Sequence, residues 1–347
     1  MTKIYIYRGG LKIVEKSGVG SAIHHQEQIL RRMGASLTEN WKEADVVHIN
    51  TVFPDSFLAA CAAKLEKKQV VYYGHSTRED FRNSFIGSDF AAPFFQWWIC
   101  RCYNRGDVIL TPTAYSRRLL EKYGIRKPVY ALTNGVDTDF FHEDGGEKAY
   151  LHERYQIPEE KKIVISAGHM IRRKGIMEFL SLAASMPEAV FIWFGGGNWW
   201  AVPGEIKRAV RNKPENVIFA GFVEPCELRA AYCGADAFVF LSHEETEGIV
   251  VLEALACKIP VVVRNIPVYR DWLLENVHVL KASGTDSFRH KLRQIFSGDC
   301  SAMTERGRRL AEEHSLFRTG MLMREIYRKA GIGSGESGSS VRKVPMK

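Results

Sequence analysis

The chain has 347 residues, more than one hydrophobic core usually serves, and its 46% hydrophobic content is that of a soluble globular protein, so two domains are expected. Lys and Arg number 48 against 40 Asp and Glu, a formal charge of +8 that favours phosphates, nucleic acid or acidic lipid headgroups without choosing among them. Seven Cys with no CxxC pair and no metal-ligand spacing argue against a zinc site and a complete disulfide framework, and predict reduced thiols in cytoplasm.

The opening MTKIYIYRGG is a short alternating strand without the apolar run of a secretory signal. Apolar runs then alternate with helical patterns: KIYIY, a helix over 24–33, ADVVHI, a helix over 56–67, QVVYYG, DVILTPT, a helix over 114–123, and PVYALTNG. That rhythm predicts a parallel sheet with helices on both faces. The polar stretch HEDGGEKAYLHERYQIPEEK reads as a linker, after which the rhythm restarts. KIVISAG, a helix over 175–185, AVFIWFGGG, NVIFAGF, a helix over 224–233, DAFVFLS, a helix over 248–256 and IPVVVRN predict a second doubly wound domain. The expected division is 1–145 for the first domain and 160–311 for the second. Closing helices follow over 301–330, with 312–330 free to pack back on the first domain, and 331–347 forms a Gly/Ser-rich flexible tail. No segment reaches the length of a membrane-spanning helix; the richest, 90–100, is broken by Pro93 and Gln96, so membrane attachment would be peripheral.

Open α/β sheets bind ligands beyond the carboxyl ends of their strands, so two facing sheets predict an interdomain cleft. The strongest motif there is Glu245-Thr-Glu-Gly-Ile-Val-Val-Leu-Glu253, running from a strand end into a helix. Gly248 allows close approach of a ligand, and the N–H groups of Gly248, Ile249 and Val250 suit a diphosphate. Glu245 and Glu253 can accept hydrogen bonds from sugar hydroxyls; their bland reading is that acids near a helix start complement its dipole. Gly168-His-Met-Ile-Arg-Arg-Lys-Gly175 sets Arg173 and Lys174 beside another strand end, where they could neutralise charge on a departing phosphate. In Ser17-Gly-Val-Gly20, Gly18 and Gly20 permit backbone approach or simply make a turn, and Gly195-Gly-Gly197, with Gly196 at its centre, has the same two readings. His75, in YYGHS, sits where a cleft residue is expected, although an isolated His more often serves as a structural hydrogen-bonder.

The Glu-x7-Glu spacing in a second Rossmann-like domain resembles the retaining glycosyltransferases of the GT-B fold, family 4-like, and the match covers nearly the whole chain. The resemblance implies α/β architecture with two Rossmann-like domains facing a cleft, a UDP-sugar donor, reaction without metal or other cofactor, and retention at the anomeric carbon. It implies that Glu245 sits by the donor hexose, as nucleophile or sugar binder, and that Glu253 contacts the ribose. Lys174 maps onto the family's phosphate-binding Lys, with Gly168 opening the same motif. His169 stands where an Arg is commoner, which leaves Arg173 or Arg172 to supply that cation. His75 would border the transferred sugar, and NGVDTDFF over 134–141 would lead to the linker.

The segment 90–103 is unusually aromatic and is followed by many Lys and Arg. Phe94, Phe95, Trp97, Trp98, Arg117 and Arg118 are candidates for an anionic lipid interface, against the plainer reading of a buried helix. KIYIYRGG, KSGVGSAIHHQ and GHMIRRKGI resemble bacterial diglycosyl-diacylglycerol synthases. That likeness implies UDP-glucose or UDP-galactose as donor, a monoglucosyl-diacylglycerol acceptor, and a peripheral enzyme on the cytoplasmic face of the membrane. A soluble or polymer-linked acceptor is the alternative. Nucleic acid is not expected as a partner, because no recognised DNA or RNA motif accompanies the basic charge.

Overall fold

The computed structural model describes residues 2–10, 17–82, 84, 87–143, 149–197, 199 and 202–333. In the first half, β1 (Lys3–Tyr7), α1 (Gly18–Arg32), β2 (Ser36–Leu37), β3 (Val46–Ile49), α2 (Pro54–Leu65) and β4 (Gln69–Tyr73) follow in turn. After them come the short α3 (Arg78–Phe81), α4 (Ser88–Tyr103), β5 (Val108–Thr111), α5 (Ala114–Lys122) and β6 (Val129–Ala131). The strands form one sheet in the order β2-β1-β3-β4-β5-β6, with each neighbouring pair parallel. Val46, Val47, Ile49, Val70, Val71 and Ile109 are wholly buried, so apolar side chains point to both faces and demand helices on each.

The second half runs α6 (Tyr150–Tyr155), β7 (Lys162–Ala167), α7 (Ile176–Ala184), β8 (Ala189–Phe194), α8 (Gly204–Arg211), β9 (Val217–Gly221) and α9 (Pro225–Gly234). It continues through β10 (Ala237–Phe240), α10 (Ile249–Ala256), β11 (Val261–Arg264), β12 (Leu280–Ala282) and α11 (Thr285–Ser297). Its sheet has the order β12-β11-β10-β7-β8-β9, again parallel throughout. Four of these elements, α6, α8, β12 and α11, were not foreseen. β12 and α11 lie beyond IPVVVRN, and α6 interrupts the polar stretch because Leu151, wholly buried, anchors it to the second core. Residues 144–148 of that stretch fall outside the described residues.

The closing pattern over 301–330 is two helices, α12 (Ser301–Glu313) and α13 (Leu316–Ala330), separated where Ser315 accepts from the amide of Arg318 at 3.4 Å. α12 packs on α10 of the second lobe; α13 crosses back to the first. Leu316, Met323, Ile326 and Tyr327 join Ile4, Ile6, Ile29 and Leu30 in one cluster, and Tyr327 Oη lies 2.7 Å from His48 Nε2. Gly320 permits the close crossing, since a Cβ there would stand 3.3 Å from Met33 Cγ. At the start of the expected flexible tail, Gly331 O and the Gly333 amide bond to the Gln69 side chain at 2.8 and 2.7 Å; 334–347 lie outside the described residues.

Candidate active site

The carboxyl ends of the two sheets face each other, and the side chains of interest emerge from the loops there. After β10 the chain turns through Glu245 to Gly248 and enters α10. Gly248 adopts φ 95°, and a Cβ at that position would lie 2.8 Å from Tyr269 Oη, so glycine alone suits the turn. Among the described residues no side chain caps α10, and the first ladder bond is from the Val251 amide to Gly248 O at 2.9 Å. The amides of Gly248, Ile249 and Val250 therefore open the helix as an anion-binding end. Tyr269 Oη beside them is buried and has no hydrogen-bond partner among the described residues.

Glu245 is buried and pairs with Lys174 Nζ, while Ser242 Oγ donates to it at 2.6 Å and Arg173 Nη1 stands 3.8 Å away. Burial alone would push its carboxyl up, but Lys174 and Arg173 together hold it below the usual range, so it is ionised. Lys174 reaches this point because Gly175, at φ 78°, lets the turn after β7 press on the end of β10; a Cβ there would come within 2.5 Å of Leu241 O. Arg173 extends across the cleft, donating to Glu244 O at 2.8 Å and pairing with Asp80 of the first lobe at 2.8 Å. Arg172 turns away to Glu205, at 2.7 and 3.0 Å, so the cation at this cluster is Arg173.

Gly168 (φ 154°) and Gly195 (φ 95°) bring the ends of β7 and β8 together: a Cβ on Gly195 would sit 2.6 Å from Gly168 O. His169 Nδ1 lies 2.9 Å from Gly196 O, and the exposed ring of Phe222 borders the same glycines. Glu253 lies deeper in α10, buried, with Tyr232 Oη donating to it at 3.1 Å. Burial pushes its carboxyl up to about 7, against the hydrogen bond from Tyr232, which lowers it.

From the first lobe, His75 follows β4 and is buried, its Nε2 3.1 Å from Asn50 Oδ1, with Asn50 in turn donating to Gln26 Oε1 at 3.0 Å. Burial lowers its imidazole to about 4, so the ring is neutral near pH 7. Gly18 and Gly20 form the first turn of α1, capped by Ser17, and Gly18 has no atom near the place a Cβ would occupy. Residues 11–16, including the start of KSGVGSAIHHQ, lie outside the described residues.

Sequence reasoning passed over the groups that join the lobes. Glu247, nearly fully buried, accepts from Thr133 Oγ1 and from the Asn134 amide and side chain at 3.1 and 2.7 Å; Thr113 Oγ1 donates to Thr246 O at 2.9 Å. The signal for Glu247 is its place inside the Glu-x7-Glu loop, and that for Asn134 is its place at the head of NGVDTDFF. The lipid-facing candidates divide. Phe94 and Trp97 are 68% and 48% exposed, whereas Phe95 stacks on Phe81 and Trp98 packs on Phe57 and donates to Val52 O at 2.6 Å. Arg117 pairs with Glu121, and Arg118 crosses the cleft to Asp271 at 2.6 Å. Phe95, Trp98 and Arg118 thus serve packing and lobe contact. Among the described residues no group of three His, Cys, Asp or Glu could hold a metal, and no helix is long and apolar enough to cross a membrane.

Two facing parallel sheets, with a cationic pair and a glycine-opened helix start at their carboxyl ends, define a transferase of the GT-B architecture. The model for "Glycosyl transferases group 1" matches residues 147–312, and that for "Glycosyltransferase Family 4" matches 16–140. A processive diacylglycerol alpha-glucosyltransferase of Acholeplasma laidlawii is 36% identical over 94% of this chain and 98% of its own. An alpha-galactosylglucosyldiacylglycerol synthase of Streptococcus pneumoniae is 28% identical over 74% of this chain and 71% of its own. Among solved structures, Anabaena HepE in complex with UDP and glucose has a TM-score of 0.76 at 13% identity, covering 94% of this chain and 99% of that one, a likeness of fold. The chain belongs to the group 1 glycosyl transferases and is a hexosyltransferase.

Proposed function

We propose that this enzyme transfers glucose or galactose from a UDP-sugar to monoglucosyl-diacylglycerol, with retention at the anomeric carbon, while peripherally attached to the cytoplasmic face of a membrane. The observation that carries the reading is the pairing of Lys174 and Arg173 with Glu245 beside the open first turn of α10. That cluster supplies positive charge and uncapped amides where a sugar diphosphate would leave. The printed functions of the Acholeplasma and pneumococcal relatives support a diacylglycerol-linked acceptor.

In this reading the bond from the anomeric carbon to the β-phosphate oxygen breaks, and its electrons pass to the phosphate. The acceptor hydroxyl attacks from the same face and gives its proton to that phosphate oxygen. Lys174, Arg173 and the α10 amides stabilise the developing oxyanion, with no metal or other cofactor in the sequence of steps. Glu245, ionised, orients Lys174 and stands where it can hold the hexose or meet developing positive charge. Neutral His75 lines the facing wall as a hydrogen-bonding group for the sugar. Phe94 and Trp97 are the aromatic contacts with the bilayer.

Detergent-dispersed monoglucosyl-diacylglycerol with sugar-labelled UDP-glucose or UDP-galactose tests it. A slower-migrating labelled lipid is expected with at least one donor. Label appearing only in water-soluble acceptors, or none with either donor, overturns the lipid reading.

A further inference from the structure

Two buried amides behind His75 take no part in the transfer steps. Gln26 lies in α1 and Asn50 follows β3, while His75 follows β4, so three separate elements bring these side chains together. They are 2%, 3% and 7% exposed. An amide or imidazole taken out of water must recover its hydrogen bonds inside the protein, and a row of such groups fixes one arrangement where apolar side chains would only fill the space.

The direction of the row follows from which atoms can donate. Asn50 Nδ2 donates to Gln26 Oε1 at 3.0 Å, which turns Asn50 Oδ1 toward His75 Nε2 at 3.1 Å. A carbonyl oxygen only accepts, so this ring nitrogen carries the proton. Burial keeps the imidazole neutral near pH 7, and a neutral ring with its proton on Nε2 has a bare Nδ1. Tyr73 removes the remaining freedom by stacking on the ring, 5.9 Å between centroids and 20° between planes. Among the described residues no group bonds to Nδ1. The ring stands at the carboxyl edge of the first sheet, just before α3, whose Asp80 meets Arg173 across the cleft.

We propose that Asn50, oriented by Gln26, is a positioning residue for donor recognition: it keeps the His75 proton on Nε2, so that Nδ1 accepts a hydrogen bond from one hydroxyl of the hexose being transferred. The inference rests on the reading of the donor as a UDP-hexose and names the residues that choose the ring nitrogen it meets. An acceptor held in one place demands a hydroxyl hydrogen from one direction. A sugar lacking that hydroxyl forfeits the bond and leaves the nitrogen unpaired, which makes the Gln26–Asn50–His75 row a source of donor specificity.

Nitrogen NMR of the full chain carrying labelled histidine reads the ring proton, with the His75 signals identified by their loss in His75→Gln. Wild type is expected to hold the Nε2–H tautomer and Asn50→Leu to release it. Calorimetry reads the consequence: Asn50→Leu should bind UDP-glucose or UDP-galactose about tenfold more weakly while binding UDP, which has no hexose, as wild type does. Among monodeoxy donors, one should lose about tenfold on wild type and less than about twofold on Asn50→Leu, the others losing equally on both. Gln26→Glu, which keeps an oxygen to accept from Asn50 Nδ2, should retain the hexose affinity that Gln26→Leu loses. An Nδ1–H ring in wild type overturns the proposal, as does an equal loss of UDP and UDP-hexose affinity in Asn50→Leu, which would mark a packing role. Failure of both UDP-hexoses to bind where UDP binds overturns the hexose contact together with the donor reading. Intact donor binding with no labelled lipid overturns the acceptor reading alone.

Discussion

Lys174 and Glu245 are each other's counter-charge, which separates their catalytic weight from their structural weight. Lys174→Ala is expected to lower kcat about 100- to 1000-fold by removing an oxyanion partner. It also strands a buried carboxylate, at a cost of about 3–5 kcal/mol in stability. Adding Glu245→Gln should return most of the stability and none of the rate; a Lys174→Ala enzyme with near-normal kcat would remove the phosphate assignment. Glu253 gives a pH signature instead. Its carboxyl titrates near 7 when folded against an ordinary value of 4.5, so below pH 4.5 both states hold the proton and there is no penalty. Between pH 4.5 and 7 the unfolded chain ionises while the folded one resists, and stability falls to a plateau above 7. Glu253→Gln, which cannot ionise, should therefore be more stable than wild type by about 3 kcal/mol at pH 8 and lose that advantage by pH 4. Denaturant titrations at the two pH values read this, and a pH-independent difference would contradict it.

At the scale of elements, two contacts decide whether the site is assembled. Gly175 closes the turn of Arg172–Lys174 onto Leu241, and Gly175→Ala would drive a Cβ into that backbone and add strain at φ 78°. A loss of roughly 2–4 kcal/mol is expected together with a fall in kcat, because the same turn carries Lys174. α13 is the other contact. Met323 is almost fully buried among first-lobe residues, and Met323→Ala should cost about 2–5 kcal/mol in urea unfolding. A cost below about 0.5 kcal/mol would mean that the helix merely lies beside that lobe.

Across the whole molecule, the lobes are joined by Glu247 with Thr133 and Asn134, by Arg173 with Asp80, and by Arg118 with Asp271. Among the described residues Glu247 has three neutral donors and no cation, so its carboxylate acts as a latch between the loop before α10 and the end of β6. Glu247→Ala removes those bonds and should favour a more open cleft, lowering kcat several-fold more than it raises the donor KM. Glu247→Gln, which keeps part of the bonding, should fall between. Small-angle scattering should report a larger radius of gyration for the alanine variant, and an unchanged radius with unchanged kcat would deny the latch.

The strand and helix rhythm, the glycine turns and the Glu-x7-Glu loop were legible in the sequence because each depends on spacing within a single element or a single turn. Lys174 was legible for the same reason, one strand end being read at a time. What only the tertiary structure decided are choices between neighbours and meetings between distant residues. It sent Arg172 to Glu205 and Arg173 to the cleft, turned Phe94 and Trp97 outward while packing Phe95 and Trp98, half-buried, against neighbouring rings, and returned α13 to the first lobe. Glu247 and Thr133 lie 114 residues apart, Tyr327 and His48 279 apart. Hydrophobic period and turn chemistry are local properties of a chain, whereas hydrogen-bond and ion-pair partners depend on how separate elements pack, and no spacing along the sequence records that.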